Sequence, residues 1–182
     1  PLLDLHSVPE WLIDVPEGVT LSGNVTSGLQ RYPPRDFGIY KRMVAAVARE
    51  QVVRRQAVFP SHANNYYQIH WEPDWHWKGT DEQFIGMYKA AFEAVHENDP
   101  DGLLLGPNYG VIRTGNKHLR RLFDKGLGQY LDGILTHTDF LTPGSAGERE
   151  LQEDLRELVA MTRKRLRPGA KIMNTEWGVR WE

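Results

Sequence analysis

The chain has 182 residues, 40% hydrophobic and 25% charged, the profile of an ordinary soluble domain with enough material for one sizeable core. Its 22 Lys and Arg balance 24 Asp and Glu to a formal charge of −2 with no long basic run, so neither nucleic acid nor an anionic membrane is expected as a partner. The absence of cysteine excludes disulfides, thiolate nucleophiles and cysteine-ligated metals, and no apolar run approaches the roughly 20 residues of a membrane span.

The chain opens on Pro1-Leu2-Leu3-Asp4-Leu5, whose leucines predict a short strand, stopped by the loop-like His6-Ser7-Val8-Pro9. A start at proline, without a charged-then-apolar signal segment, reads as a mature, cropped or partial chain. From Leu21 to Arg35 the text is rich in Gly, Ser, Asn, Thr and Pro and predicts a long surface loop, within which Asn24-Val25-Thr26 fits a glycosylation acceptor. Phe37, Tyr40, Met43, Val44 and Val47 recur at helical spacing, so an amphipathic helix is expected from Asp36, its N-cap, to about Arg54. Tyr66, Tyr67, Ile69 and Trp71 form an aromatic and β-branched strand whose end is marked by Glu72-Pro73-Asp74.

Thr80-Asp81-Glu82-Gln83 has the form of a capping box ahead of a helix face of Phe84, Tyr88, Ala91, Phe92 and Val95, terminated at Asn98-Asp99-Pro100. Leu103 to Leu105 reads as a buried strand ending at Gly106-Pro107-Asn108, His118 to Gly126 as a helix, and Leu131 to Thr136 as a strand ending at His137. Leu151, Leu155, Leu158, Thr162 and Leu166 mark a long helix with a basic C-terminal run, and Lys171 to Thr175 is a last strand ending at Glu176. Strands and helices thus alternate along the whole chain, which predicts a parallel α/β fold. An open doubly wound sheet is an alternative, but no Gly-x-Gly-x-x-Gly or Walker loop follows any strand.

In a parallel barrel the side chains available for chemistry lie at the carboxyl ends of strands, where Glu72, Asn108, His137 and Glu176 fall. Tyr67-Gln68-Ile69-His70-Trp71-Glu72-Pro73-Asp74 resembles the Asn-Glu-Pro strand-four motif of the clan of retaining glycoside hydrolases built on (β/α)8 TIM barrels. Lys171-Ile172-Met173-Asn174-Thr175-Glu176-Trp177-Gly178 resembles its Thr-Glu-Trp/Phe-Gly strand-seven motif. Two strands intervene, as strands four and seven require, so the chain would hold strands 3 to 7 of such a barrel. His137 resembles the clan's strand-six histidine, and Glu-Pro-Asp-Trp is nearest to family 39 β-xylosidases and their relatives. On this reading residues 1–182 form a partial catalytic barrel from which the terminal strands are missing. Either the remainder has been removed or a second segment completes the barrel, and the isolated piece is expected to express poorly or aggregate because its sheet edges are open.

The resemblance implies cleavage of a β-glycosidic bond in an oligo- or polysaccharide with retention, Glu72 acting as acid/base and Glu176 as nucleophile, without cofactor or metal. Trp71, Trp75, Trp77, Tyr109 and Trp177 are expected to offer aromatic faces to the carbohydrate substrate, joined by Asn108 and His137. Two positions depart from the clan. Trp71 stands where asparagine usually binds the sugar 2-hydroxyl and has only an indole N–H to offer, and Asp139-Phe140 replaces an aromatic two residues after the histidine. Two other readings stay open. One is a non-catalytic carbohydrate-binding barrel; the other is a metal-dependent hydrolase using His62, His70 and His76 beside Glu72.

Overall fold

The computed structural model describes residues 2–5, 8–19, 32–110, 112–138 and 146–177. The predicted Leu21–Arg35 loop, apart from its last four residues, lies outside them, as do the Asn24 triplet, Asp139-Phe140 and Gly178. Five strands alternate with helices: β1 (Leu2–Asp4), α1 (Phe37–Val58), β2 (Tyr66–Gln68), α2 (Pro73–His76), α3 (Asp81–Asn98), β3 (Leu103–Tyr109), α4 (Ile112–Asp124), β4 (Gly133–Thr138), α5 (Ala146–Arg165) and β5 (Lys171–Trp177). All four pairings are parallel, and the strand order follows the chain order, β1-β2-β3-β4-β5. A doubly wound sheet reverses direction at a switch point. This sheet does not, so it is one curled arc of a barrel.

Local chemistry sets the helix ends as the sequence implies. Asp36 caps α1, its carboxylate accepting from the Ile39 N–H at 2.8 Å. At the start of α3 the full capping box is formed: Thr80 Oγ1 accepts from Gln83 N at 3.1 Å, and Gln83 Oε1 accepts from Thr80 N at 2.8 Å. α1 packs on α3 through Tyr40, Val44 and Ala48 and is tied to it by Lys41, 3.0 Å from Glu93 and 2.7 Å from Glu97. No helix among the described residues is long and apolar enough to cross a membrane.

The period-two alternation of the strands divides their side chains between two faces. Tyr67, Leu104 and Ile134 join the apolar layer under the helices, with Phe84, Tyr88, Val95, Leu119 and Leu158. Leu105 and Leu135 are fully buried but belong to the other face, the barrel interior, with Gln68.

Two irregularities shape the carboxyl edge of the sheet. Between β3 and β4 the register passes from Leu105↔Gly133 to Asn108↔Leu135, so β3 carries one extra residue at Gly106-Pro107. The sequence suggests a strand ending there; it instead runs on to Tyr109, because a bulge tolerates a proline that regular pairing would not. Between β4 and β5 the register passes from Thr136↔Asn174 to His137↔Glu176, so Thr175 is the extra residue on β5. Without that bulge Thr175, not Glu176, would stand beside His137.

Candidate active site

Glu72 leaves the β2 segment in the left-handed region, φ 46° and ψ 59°, which a residue with a Cβ rarely adopts. Its backbone N–H donates to Asn108 O at 2.8 Å, and the parallel bridge Trp71↔Asn108 fixes the same point. Pro73 then starts α2, suited to a position whose N–H needs no partner. The turn carries the Glu72 side chain inward, where it is 7% exposed. A methyl group on Gly110 would fall on that carboxyl, so the absence of a side chain at 110 makes its seat.

His137, 2% exposed at the end of β4, stands between the two glutamates. Its Nδ1 is 3.1 Å from Glu72 Oε1 and its Nε2 is 3.7 Å from Glu176 Oε2. A protonated imidazole has an N–H on each side for these carboxylates, and a neutral one donates to one of them. The carboxyls have unlike surroundings, since the Glu176 side chain is 53% exposed.

Trp71 leans over this group, its ring centroid 6.2 Å from that of His137 and stacked on His76 at 5.8 Å. Asn108 is buried beneath, its Nδ2 donating to Thr175 Oγ1 at 3.0 Å and to Gln68 Oε1 at 3.4 Å, which ties β2, β3 and the β5 bulge together. Trp75 projects from α2 with 59% of its surface exposed. Trp177 pairs with Thr138 through the backbone, and its side chain lies outside the described set.

Trp77 and Tyr109 sit away from the pair. The Trp77 indole donates to Thr80 O at 3.1 Å and packs edge-on against His70 and Phe84. Tyr109 faces the helix layer, against Gly115 and His118, where burial holds its phenol well above the ordinary pKa. Packing accounts for both rings. Near them a cavity of about 320 Å³ is bordered by Pro73, Asp74, Trp77, Asp81, His118 and Arg121. Arg121 hydrogen-bonds the Asp81 carboxylate and, outweighing partial burial, lowers its pKa to about 2; burial lowers His118 to about 4.

The histidines that raise a metal reading diverge. His62 packs on Phe59, His70 enters the aromatic layer, and His76 turns toward Glu72, with Nε2 3.8 Å from Oε2. Among the described residues no group of three or more His, Asp or Glu is placed to hold a metal ion. The sequence reading omits three residues that touch the site: Gln68, Thr175 and Gly110. Glycine after Tyr109 carries no pattern of its own, whereas His76 follows Glu72 at the i, i+4 spacing that puts two side chains on one helix face.

No family profile matches the chain, and no match is found among curated proteins. Solved structures do match. A glucosidase from Croceicoccus marinus is 22% identical with a TM-score of 0.61, covering 80% of this chain and 31% of that one. A family 39 glycoside hydrolase from Xanthomonas axonopodis pv. citri is 19% identical with a TM-score of 0.60, covering 82% and 31%. A family 39 β-xylosidase from Caulobacter crescentus is 18% identical with a TM-score of 0.57, again covering 82% and 31%. The chain therefore spans about a third of the length of these structures, and at such identities the likeness is one of fold. It is similar to a part of the (β/α)8 barrel on which these glycosidases are built.

Proposed function

We propose that this chain carries the catalytic pair of a retaining glycosidase of family 39 type, with Glu72 as acid/base and Glu176 as nucleophile. The observation that carries the reading is the His137 imidazole standing between the two carboxyl groups at the carboxyl ends of parallel strands. Such strand ends are where barrel enzymes assemble their chemistry.

In the first step Glu72 gives its proton to the glycosidic oxygen while a Glu176 oxygen bonds to the anomeric carbon and the bond to the leaving oxygen breaks. In the second step Glu72, now a carboxylate, takes a proton from water, whose oxygen displaces Glu176. A buried acid and a more exposed carboxylate suit these separate roles. The substrate is a β-linked oligo- or polysaccharide, and Trp71, against His137, and the exposed Trp75 on α2 are its apolar faces for sugar C–H groups, with Trp177 next to Glu176 in sequence. Asn108 and His137 lie buried beside the pair and hold its strands and carboxyls in place. The test is chemical rescue: Glu176→Ala abolishes turnover and regains it with azide, yielding the α-glycosyl azide, whereas Glu72→Ala still turns over substrates with activated leaving groups. Unimpaired turnover by Glu176→Ala contradicts the assignment.

A further inference from the structure

We propose that His76 is a positioning residue for the Glu72 carboxyl, an inference that rests on reading Glu72 as the acid/base. The two oxygens of that carboxyl face different rings. Oε1 is taken by His137 Nδ1 at 3.1 Å, and Oε2 faces His76 Nε2 at 3.8 Å. In the tautomer that carries a proton on His137 Nδ1, Oε1 accepts from it, the transferable proton sits on Oε2, and His76 is the group set against that oxygen. The short helix α2 brings this about by its length alone, since Glu72 is its N-cap and His76 its last residue.

His76 is itself held in place. Its ring lies nearly parallel to the Trp71 indole, 19° between planes, and its side chain is only 18% exposed. Trp71 thus touches both histidines, at 5.8 Å and 6.2 Å between centroids, and locks them on opposite sides of one carboxyl. A separation of 3.8 Å is outside direct hydrogen-bond range. Hydrogen bonds to a catalytic carboxyl are often long before substrate arrives and shorten in the complex. Together with Gly110 behind it, the carboxyl has one orientation available for proton transfer. His137 faces both glutamates, whereas His76 faces Glu72, so its loss should fall on the proton transfers of Glu72, to the leaving group and from water.

The test compares the full chain with its His76→Ala and His76→Gln variants on β-glycosides of two kinds: alkyl or oligosaccharide leaving groups that need protonation, and dinitrophenyl groups that do not. General acid assistance is worth about 10² to 10⁴-fold, and losing its alignment should remove about tenfold or more of kcat/KM on the first kind while leaving kcat/KM on the second, which reads only the step that needs no proton, within about twofold. His76→Gln, which keeps an N–H at similar reach, should recover part of the loss. Equal losses on both kinds, or none on the first, would overturn the proposal. Crystal structures give a readout without turnover: in His76→Ala the Glu72 carboxyl should occupy more than one orientation on an unchanged backbone, and a single unaltered orientation overturns the positioning role. If the unaltered protein cleaves no glycoside, the acid/base reading falls, and the crystallographic comparison still decides whether His76 orients the carboxyl.

Discussion

The Glu72 carboxyl lies so close to Gly110 that a methyl group there would overlap it, and this contact gives a test confined to one atom. Gly110→Ala should displace the carboxyl from His137 and lower turnover on the order of 10²-fold, the usual scale for misplacing a reacting group by about an ångström. Because the two residues touch, their effects on stability should not add: Glu72→Ala should relieve the strain of Gly110→Ala, and a denaturant-melting cycle checks it. Additive stabilities would mean that the carboxyl moves aside without cost. Of the candidate site, the two glutamates and His137 are legible in sequence because they fall at or just past the carboxyl ends of strands. Gly110 is not, since its role comes from what folds against it, nor is the distribution of aromatics. Trp71 and Trp77 look alike in sequence, yet one lies against His76 and His137 and the other fills the space between His70 and Phe84.

Among the elements, the capped helix starts at Asp36 and Thr80 are where sequence and structure agree best, because their signals act over three or four residues. Thr80→Ala removes one half of the capping box and should cost about 1 kcal/mol by denaturant melting, with no change in turnover. A loss of activity at constant stability would show that the cap also fixes the Trp77 region. α4 is legible only in its second half: Arg113-Thr114-Gly115-Asn116-Lys117 has poor helix formers and no continuous apolar face. It is helical because Gly115 lets the backbone settle on the Tyr109 ring and because Asn116 donates to Asp154 O on α5 at 2.8 Å. The bulge at Thr175 is invisible in the sequence for a related reason, since an extra residue on one strand is defined only against its neighbour. That bulge nevertheless brings Glu176 opposite His137.

Across the molecule, a buried polar cluster and the candidate site occupy opposite ends of the sheet. At the amino end, Asp132, 1% exposed, accepts from Leu104 N at 2.7 Å, pairs with His96 at 3.0 Å and meets Arg167 at 2.5 Å. Asp132→Ala would leave the buried Leu104 N–H, the His96 ring and the Arg167 guanidinium without their acceptor and should cost about 3 kcal/mol, read by denaturant melting, with kcat little changed. Stability should also fall with acid in two stages. His118 is held neutral by burial, its pKa lowered from 6.5 to about 4, so the unfolded chain takes up a proton first and stability is lost as pH falls between those values. Asp81, lowered from 3.8 to about 2 by Arg121, adds a loss below about pH 4 as pH falls toward about 2. His118→Gln should flatten the first stage in melting curves, and an unchanged slope would mean that another group titrates there. The larger claim is that the arc of strands brings Glu72 and Glu176 together as acid/base and nucleophile. Trapping with a 2-deoxy-2-fluoro glycoside carrying a good leaving group, followed by peptide mass spectrometry, tests it most directly. The sugar should be found on Glu176 alone; a label on a different carboxylate, or turnover of the natural glycoside with inversion, would contradict it.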